Sequence, residues 1–234
     1  MALTPDSESE STILVVSPHP DDEVIGAGGL IANRRAQGSR VWVIFAVVDG
    51  FHHWGLTRRT TLRERLREID KASEILGYEY ETLYEGKNLM EKLDTVPLRE
   101  LVDKFEDAYN RIKPDLLVLP HGEDFDQDHV ACFKAAFAAA RPLPQRLGKF
   151  FPRRVLTYES PKLVWSSAPF HPTLYLDISD TLERKLEAIR AYSSQLRSPP
   201  DVRSTENLRA LAYLRGSEIG CEYAEAFSVL RWVL

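Results

Sequence analysis

The chain is poor in cysteine: Cys132 and Cys221 are the only two among 234 residues. Two thiols build neither a disulfide framework nor a cysteine-rich zinc site, and both are expected to be reduced, buried apolar fillers. Long apolar runs are also missing. The longest, Val41 to Val48, has the length of a strand and falls far short of the roughly 20 residues of a membrane helix. No excess of positive charge exists: 30 Lys and Arg stand against 35 Asp and Glu, a net charge of −5. That balance argues against a nucleic-acid binder, which needs a basic face to release counterions. No Gly/Ser- or Pro-rich linker divides the chain, and residues 1–11 lack the basic and apolar regions of a secretory signal. The expectation is a cytoplasmic protein with no membrane anchor and no nucleic-acid partner. Residues 1–11 read as a frayed tail and 12–234 as a single domain, and a homo-oligomer is compatible with both.

What the chain does have is an alternation of strand and helix. Strands are predicted at Ile13–Ser17, Val41–Val48, Tyr80–Tyr84 and Asp115–Pro120. Helices are predicted at Val24–Gln37, Arg58–Leu76, Val96–Ile112 and Asp128–Ala140, with Gly38 and Gly77 at two of their ends. Residues 153–159 and 173–178 add two strands, and Thr181–Ala191 and Thr205–Leu214 add two helices. The strands are apolar throughout rather than alternating, which implies burial on both faces. The fold class is therefore α/β: three layers, Rossmann-like, a mainly parallel sheet with helices on both faces. In such folds ligands sit at the carboxyl ends of the strands, so chemistry is sought after Ser17, Val48 and Pro120.

Strand one runs into Ser17-Pro18-His19-Pro20-Asp21-Asp22-Glu23. Helix capping explains one or two of these carboxylates, but not His19 nor three acids in succession. Strand four runs into Pro120-His121-Gly122-Glu123-Asp124-Phe125-Asp126-Gln127-Asp128-His129. Alone, this second stretch reads equally well as a solvated acidic loop. Together, the two supply His19, Asp22 and His129. Three protein ligands plus water make a catalytic zinc site, whereas structural zinc is closed by four. Asp128 is a candidate acceptor for a ligating imidazole. Gly26-Ala27-Gly28-Gly29 lacks the G-x-G-x-x-G spacing of a dinucleotide loop and reads as close helix–sheet packing.

His19-Pro20-Asp21-Asp22-Glu23 resembles the signature of the PIG-L/LmbE-like zinc-dependent N-acetylglucosaminyl deacetylases. Asp128-His129 opening an Ala-rich helix matches that family's downstream partner. The resemblance runs from Ile13 to Phe227, through Asp49-Gly50, Arg65, Glu68, Tyr158-Glu159, Lys185, Ser194-Gln195, Arg215-Gly216 and Ala224-Glu225-Ala226-Phe227. It implies a hydrolase that removes an N-acetyl group from an amino sugar or sugar conjugate. Zn2+ is the implied ion, although two imidazoles and a carboxylate accept other divalent metals. His19, Asp22 and His129 would hold it, and Asp21 would be the general base for the attacking water.

One position departs from the pattern. Many members carry a second His three residues before the ligand His, as acid or oxyanion stabiliser; here that position is Asp126. An Asp fills the role only if protonated. His52, His53 and His121 are alternative candidates. His52-His53-Trp54 would also contact substrate, with Trp54 stacking on a sugar face, unless the segment is an ordinary loop. The arginines around residues 58–67 read as a solvated face, with Arg65 the exception and a candidate substrate contact. Arg203 and Arg215 suit a phosphate of an activated sugar or, more simply, surface salt bridges. Two alternatives remain open: an amidase acting on another small amide such as a thiol conjugate, and an inactive sugar-binding homologue in which Asp126 has replaced the acid.

Overall fold

The computed structural model describes residues 11–52, 59–161 and 166–234. The tail before residue 11, and His53 and Trp54, lie outside the described residues. In chain order the elements are β1 (Thr12–Ser17), α1 (Asp22–Ala36), β2 (Arg40–Val48), α2 (Leu62–Leu76), β3 (Glu79–Glu85), α3 (Leu98–Ile112), β4 (Leu116–Leu119) and α4 (Gln127–Ala139). Then follow β5 (Arg154–Tyr158), β6 (Leu174–Asp177), α5 (Leu182–Ala191), α6 (Thr205–Ile219) and β7 (Ala224–Trp232). None of the described helices is long and apolar enough to cross a membrane.

The seven strands form one sheet in the order β3-β2-β1-β4-β5-β7-β6. The first five run parallel; β7 is antiparallel to both β5 and β6. Alternate residues of β1 feed opposite cores. Ile13 and Val15 pack with α1, α2, α5 and α6, whereas Leu14 and Val16 pack with α3 and α4. That is the expected three-layer arrangement, and it explains why the central strands are apolar on both faces. The chain winds outward from β1 to β3, then returns to the other side of β1 as β4. Strand order therefore reverses between β1 and β4, and a crevice opens at their carboxyl ends. Both acidic stretches of the sequence leave their strands there.

Local chemistry fixes the helices that frame this crevice. The capping box of α2 closes as Thr61 Oγ1 accepts from the Glu64 amide at 3.2 Å and the Glu64 carboxylate accepts from the Thr61 amide at 2.8 Å. The glycines of α1 allow close packing, as expected: a Cβ on Gly26 would meet the Tyr158 ring at 2.1–2.8 Å.

Three sequence expectations are corrected here. The last helix does not stop at Leu214 but continues to Ile219, ending at Gly220 in the left-handed conformation (φ 79°). Strand β7 was not anticipated, because Glu225 interrupts its apolar run. That carboxylate is buried, and it accepts from Lys185 Nζ and from the Gly29 and Leu30 amides, each at 2.7 Å. Cys132 is a buried filler of α4, but Cys221 is only partly buried in the turn between α6 and β7.

Candidate metal centre

Asp21 sits between β1 and α1 at φ 116°, ψ −28°, a conformation that strains a residue with a side chain. Its side chain caps nothing in the helix, so capping does not account for it. Glu23 holds the turn in place. The fully buried Glu23 carboxylate accepts from the Asp21 amide at 3.1 Å, Ser17 Oγ at 3.3 Å, Tyr78 OH at 3.0 Å and Tyr192 OH at 2.5 Å. Burial pushes its pKa up to about 7, against the hydrogen bonds from Tyr192 and the Asp21 amide. Arg65 ties the same turn to α2. It donates to the Pro20 carbonyl and, through Nη1, to Glu68 Oε2 at 3.1 Å and Ser194 Oγ at 3.4 Å.

The turn delivers His19 and Asp22, and the start of α4 delivers His129. Asp22 Oδ2 lies 3.6 Å from His19 Nδ1 and 3.2 Å from His129 Nε2. Tetrahedral bonds of 2.0–2.1 Å separate ligand atoms by about 3.3 Å, so these spacings suit one small cation. The other nitrogen of each imidazole is bonded to a buried carboxylate. His19 Nε2 meets Asp128 Oδ2 at 2.9 Å, and His129 Nδ1 meets Asp124 Oδ2 at 2.9 Å. Each carboxylate thus fixes a tautomer and aims the remaining lone pair at Asp22. The donor set of two imidazole nitrogens and one carboxylate oxygen fits zinc, with a position left for water.

Charges hold these side chains together. Burial opposes ionisation of Asp22, but His129, His19 and Arg203 outweigh it and hold its carboxyl well below the usual range. Burial likewise opposes a charge on His129, yet Asp22 and Asp124 raise it well above an ordinary histidine. Asp128 is lowered overall: burial works upward, and His19 with the Leu93 and Glu91 amides works more strongly downward.

A cleft of about 200 Å³ opens over these residues, lined by His19, Asp21, Arg65, Phe125, Asp126 and Arg203 among others. A smaller cavity, sharing Phe125, Asp126 and Arg203 with the cleft, reaches Asp22 and His129. Met90 and Glu91 of the 86–95 segment line the cleft. Asp49 Oδ2 accepts from the Leu89 amide at 2.7 Å, and Asp128 accepts from the Glu91 and Leu93 amides at 2.7 and 2.8 Å. Asp126 caps α4, accepting from the Asp128 amide at 2.9 Å. His19, Asp126 and Asp128 also lie close enough to share an ion, but Asp128 is already committed to His19 and two amides.

Not every sequence candidate converges on this site. His52 is exposed at the end of the segment after β2. His121 turns its ring against Phe170 at 5.4 Å, lines neither cavity, and has its pKa pulled down by burial. Arg215 faces another small cavity beside Lys185 and Glu225, where it pairs with Glu159 at 2.5 Å and Glu218 at 2.7 Å. Its salt-bridge reading accounts for it; for Arg203 the reverse holds, because that guanidinium is at the centre. Asp124 had no assigned role in the sequence, where it is one of four acids in a row of loop residues.

A diacetylchitobiose deacetylase of Thermococcus kodakarensis is 28% identical over 231 residues, spanning 91% of this chain and 80% of that protein. A conserved protein of Thermus thermophilus superposes with a TM-score of 0.74 at 27% identity, covering 96% of each chain. GalB, a 4-carboxy-2-hydroxymuconate hydratase of Pseudomonas putida, superposes at 0.77 with 22% identity, covering 96% of this chain and 98% of that one. This last likeness is one of fold, which does not carry the reaction with it. The family model for the GlcNAc-PI de-N-acetylases, PIG-L, matches residues 14–140, and the chain belongs to that family.

Proposed function

We propose that the protein is a divalent-metal hydrolase, with zinc the preferred ion, that removes the acetyl group from an N-acetylated amino sugar or sugar conjugate. One observation carries this reading: His19 Nδ1 and His129 Nε2 both face Asp22 Oδ2, while Asp21 lines the same cleft. Family membership and a relative named as a diacetylchitobiose deacetylase support the amide and sugar classes.

In this reading His19, Asp22 and His129 hold the ion, which supplies Lewis acidity toward water and the amide carbonyl. Asp21 is the general base. It is only 2% exposed, and its turn is fixed by Glu23 and Arg65, so it meets an attacking water without reorganising. Asp124 and Asp128 orient the two imidazoles. Phe51, Met90 and Phe125 give the cleft an apolar wall for the C–H face of a sugar ring, and Glu91, Asp126 and Gln195 offer polar groups to its hydroxyls. His52, His53 and Trp54 belong to the segment that follows Phe51 and would extend that contact. Arg65 serves the turn more than the substrate, since most of its donors are taken by protein acceptors.

The test is acetate release by the zinc-loaded protein. N-acetylglucosamine, N,N′-diacetylchitobiose and an N-acetylated thiol conjugate are compared, with Asp21→Asn as control. Turnover of the sugars, abolished by Asp21→Asn, is expected. Turnover of the thiol conjugate alone would move the substrate class, and no acetate from any of them would overturn the reading.

A further inference from the structure

The hydrolysis just proposed leaves one role unfilled. A carbonyl oxygen that gains charge needs a hydrogen-bond donor besides the ion. Asp126 is poorly placed to be that donor, because its carboxylate is already an acceptor for the Asp128 amide at 2.9 Å. Arg203 has the opposite character. A guanidinium stays charged and only donates.

Its placement is specific. Arg203 stands immediately before Ser204, the N-cap of α6, and its own amide donates to Asp201 Oδ1 at 2.8 Å. Nη1 donates to Gln195 Oε1 at 3.2 Å, and Gln195 Nε2 donates in turn to Ser194 Oγ at 3.0 Å. Ser194 is bonded to Glu68 and Arg65, the pair that holds the Asp21 turn. The guanidinium is thus braced by the same framework as the base. Nε lies 4.0 Å from Asp21 Oδ2, beyond hydrogen-bond reach. It is sealed from solvent and makes no hydrogen bond. Arg203 borders both the cleft with His19 and Asp21 and the cavity with Asp22 and His129. The guanidinium thus stands beside both the base and the three residues that would hold the ion, with a donor pointed at the Asp21 side of the cleft.

We propose that Arg203 is a catalytic residue, the oxyanion donor of this site, in the place that position 126 does not fill. The proposal rests on the deacetylase reading. Water adds to the amide carbon and its proton passes to Asp21, while the carbonyl π pair moves onto the oxygen beside Arg203. The C–N bond then breaks, the nitrogen takes the proton from Asp21, and the carboxylic acid and free amine leave. Arg203 exchanges no proton and stabilises the charge between the two steps.

The experiment uses zinc-loaded protein and methylphosphonate, a tetrahedral anion with the shape of the acetyl intermediate. Its affinity is measured by calorimetry for wild type, Arg203→Ala, Arg203→Lys and Asp126→Asn, with zinc content and thermal midpoint checked on each. Arg203→Ala is expected to keep its zinc, bind methylphosphonate at least about tenfold more weakly, and lose about 10²–10³ in kcat with little change in KM. Added guanidinium should restore part of that rate. Arg203→Lys, which keeps the charge and is the better guard against misfolding, should fall between. Unchanged methylphosphonate affinity in Arg203→Ala, or the loss appearing in Asp126→Asn instead, would overturn the proposal. Wild-type protein that binds methylphosphonate through Arg203 yet releases no acetate would support the donor and overturn only the deacetylase reading.

Discussion

The two carboxylates behind the imidazoles should fail in different ways. Asp128 is 0% exposed and accepts three bonds, from His19 Nε2 and from the Glu91 and Leu93 amides. Asp128→Ala strands the buried Leu93 amide, at about 1–3 kcal/mol, and removes the bond of the part-buried Glu91 amide, at about 1 kcal/mol. The apoprotein should therefore lose about 3 kcal/mol, which for a chain of this size lowers Tm by roughly 6–12 °C. Asp124 accepts from His129 Nδ1 and from the half-buried Asp126 amide, which water can reach. Asp124→Ala should cost the apoprotein only about 1 kcal/mol. Both should weaken zinc binding by about 10–100-fold, because each frees one imidazole to rotate. Thermal melts of the apoprotein, with zinc titration against a competing chelator, separate the two effects. Equal melting of Asp128→Ala and wild type, or wild-type zinc affinity in Asp124→Ala, would refute the reasoning.

Three other predictions rest on different contacts. Glu23 keeps its proton to about pH 7 in the fold, against an ordinary 4.5. Between those values the unfolded chain releases a proton that the folded chain retains, so this group's contribution falls as pH rises, by about 3 kcal/mol in total. Denaturant melts of the apoprotein should show that slope in wild type and not in Glu23→Gln; equal slopes would contradict it. Gly26→Ala places a methyl within 2.1–2.8 Å of the Tyr158 ring and should cost about 1–3 kcal/mol of stability, read by thermal unfolding. Lys185→Met leaves the buried Glu225 carboxylate without its cation and should cost about 3–5 kcal/mol, much of which the double variant with Glu225→Gln should recover. A single-variant loss below about 1 kcal/mol would show that the pair is solvated.

The parallel half of the fold is legible in the sequence because its signal is local. Apolar runs such as Ile13–Ser17 and glycine stops such as Gly77 report their own segments. The antiparallel addition is not, because β7 is stabilised by partners far along the chain. Glu225 looks like a strand breaker until Lys185 and the amides of α1 are placed around it. The same division runs through the site. His19, Asp22 and His129 stand in two recognisable stretches, and the structure brings them together. Asp124 gave a signal only through its place in an acidic loop, five residues before His129. Arg203 reads in the sequence only as a phosphate contact or a surface salt bridge, since nothing near it shows that the start of α6 delivers it to the β1–β4 crevice. Arg215, twelve residues on, has the same chemistry and faces elsewhere.

In the proposed centre, the two imidazoles of His19 and His129 and the Asp22 carboxylate hold a single ion. X-ray absorption at the zinc edge of protein loaded with one equivalent tests it most directly. Nitrogen and oxygen neighbours only are expected, at about 2.0–2.1 Å, with multiple scattering from two imidazoles that drops to one in His129→Ala. A sulfur neighbour at about 2.3 Å, placing buried Cys132 in the coordination sphere, or a spectrum unchanged in His129→Ala, would contradict it.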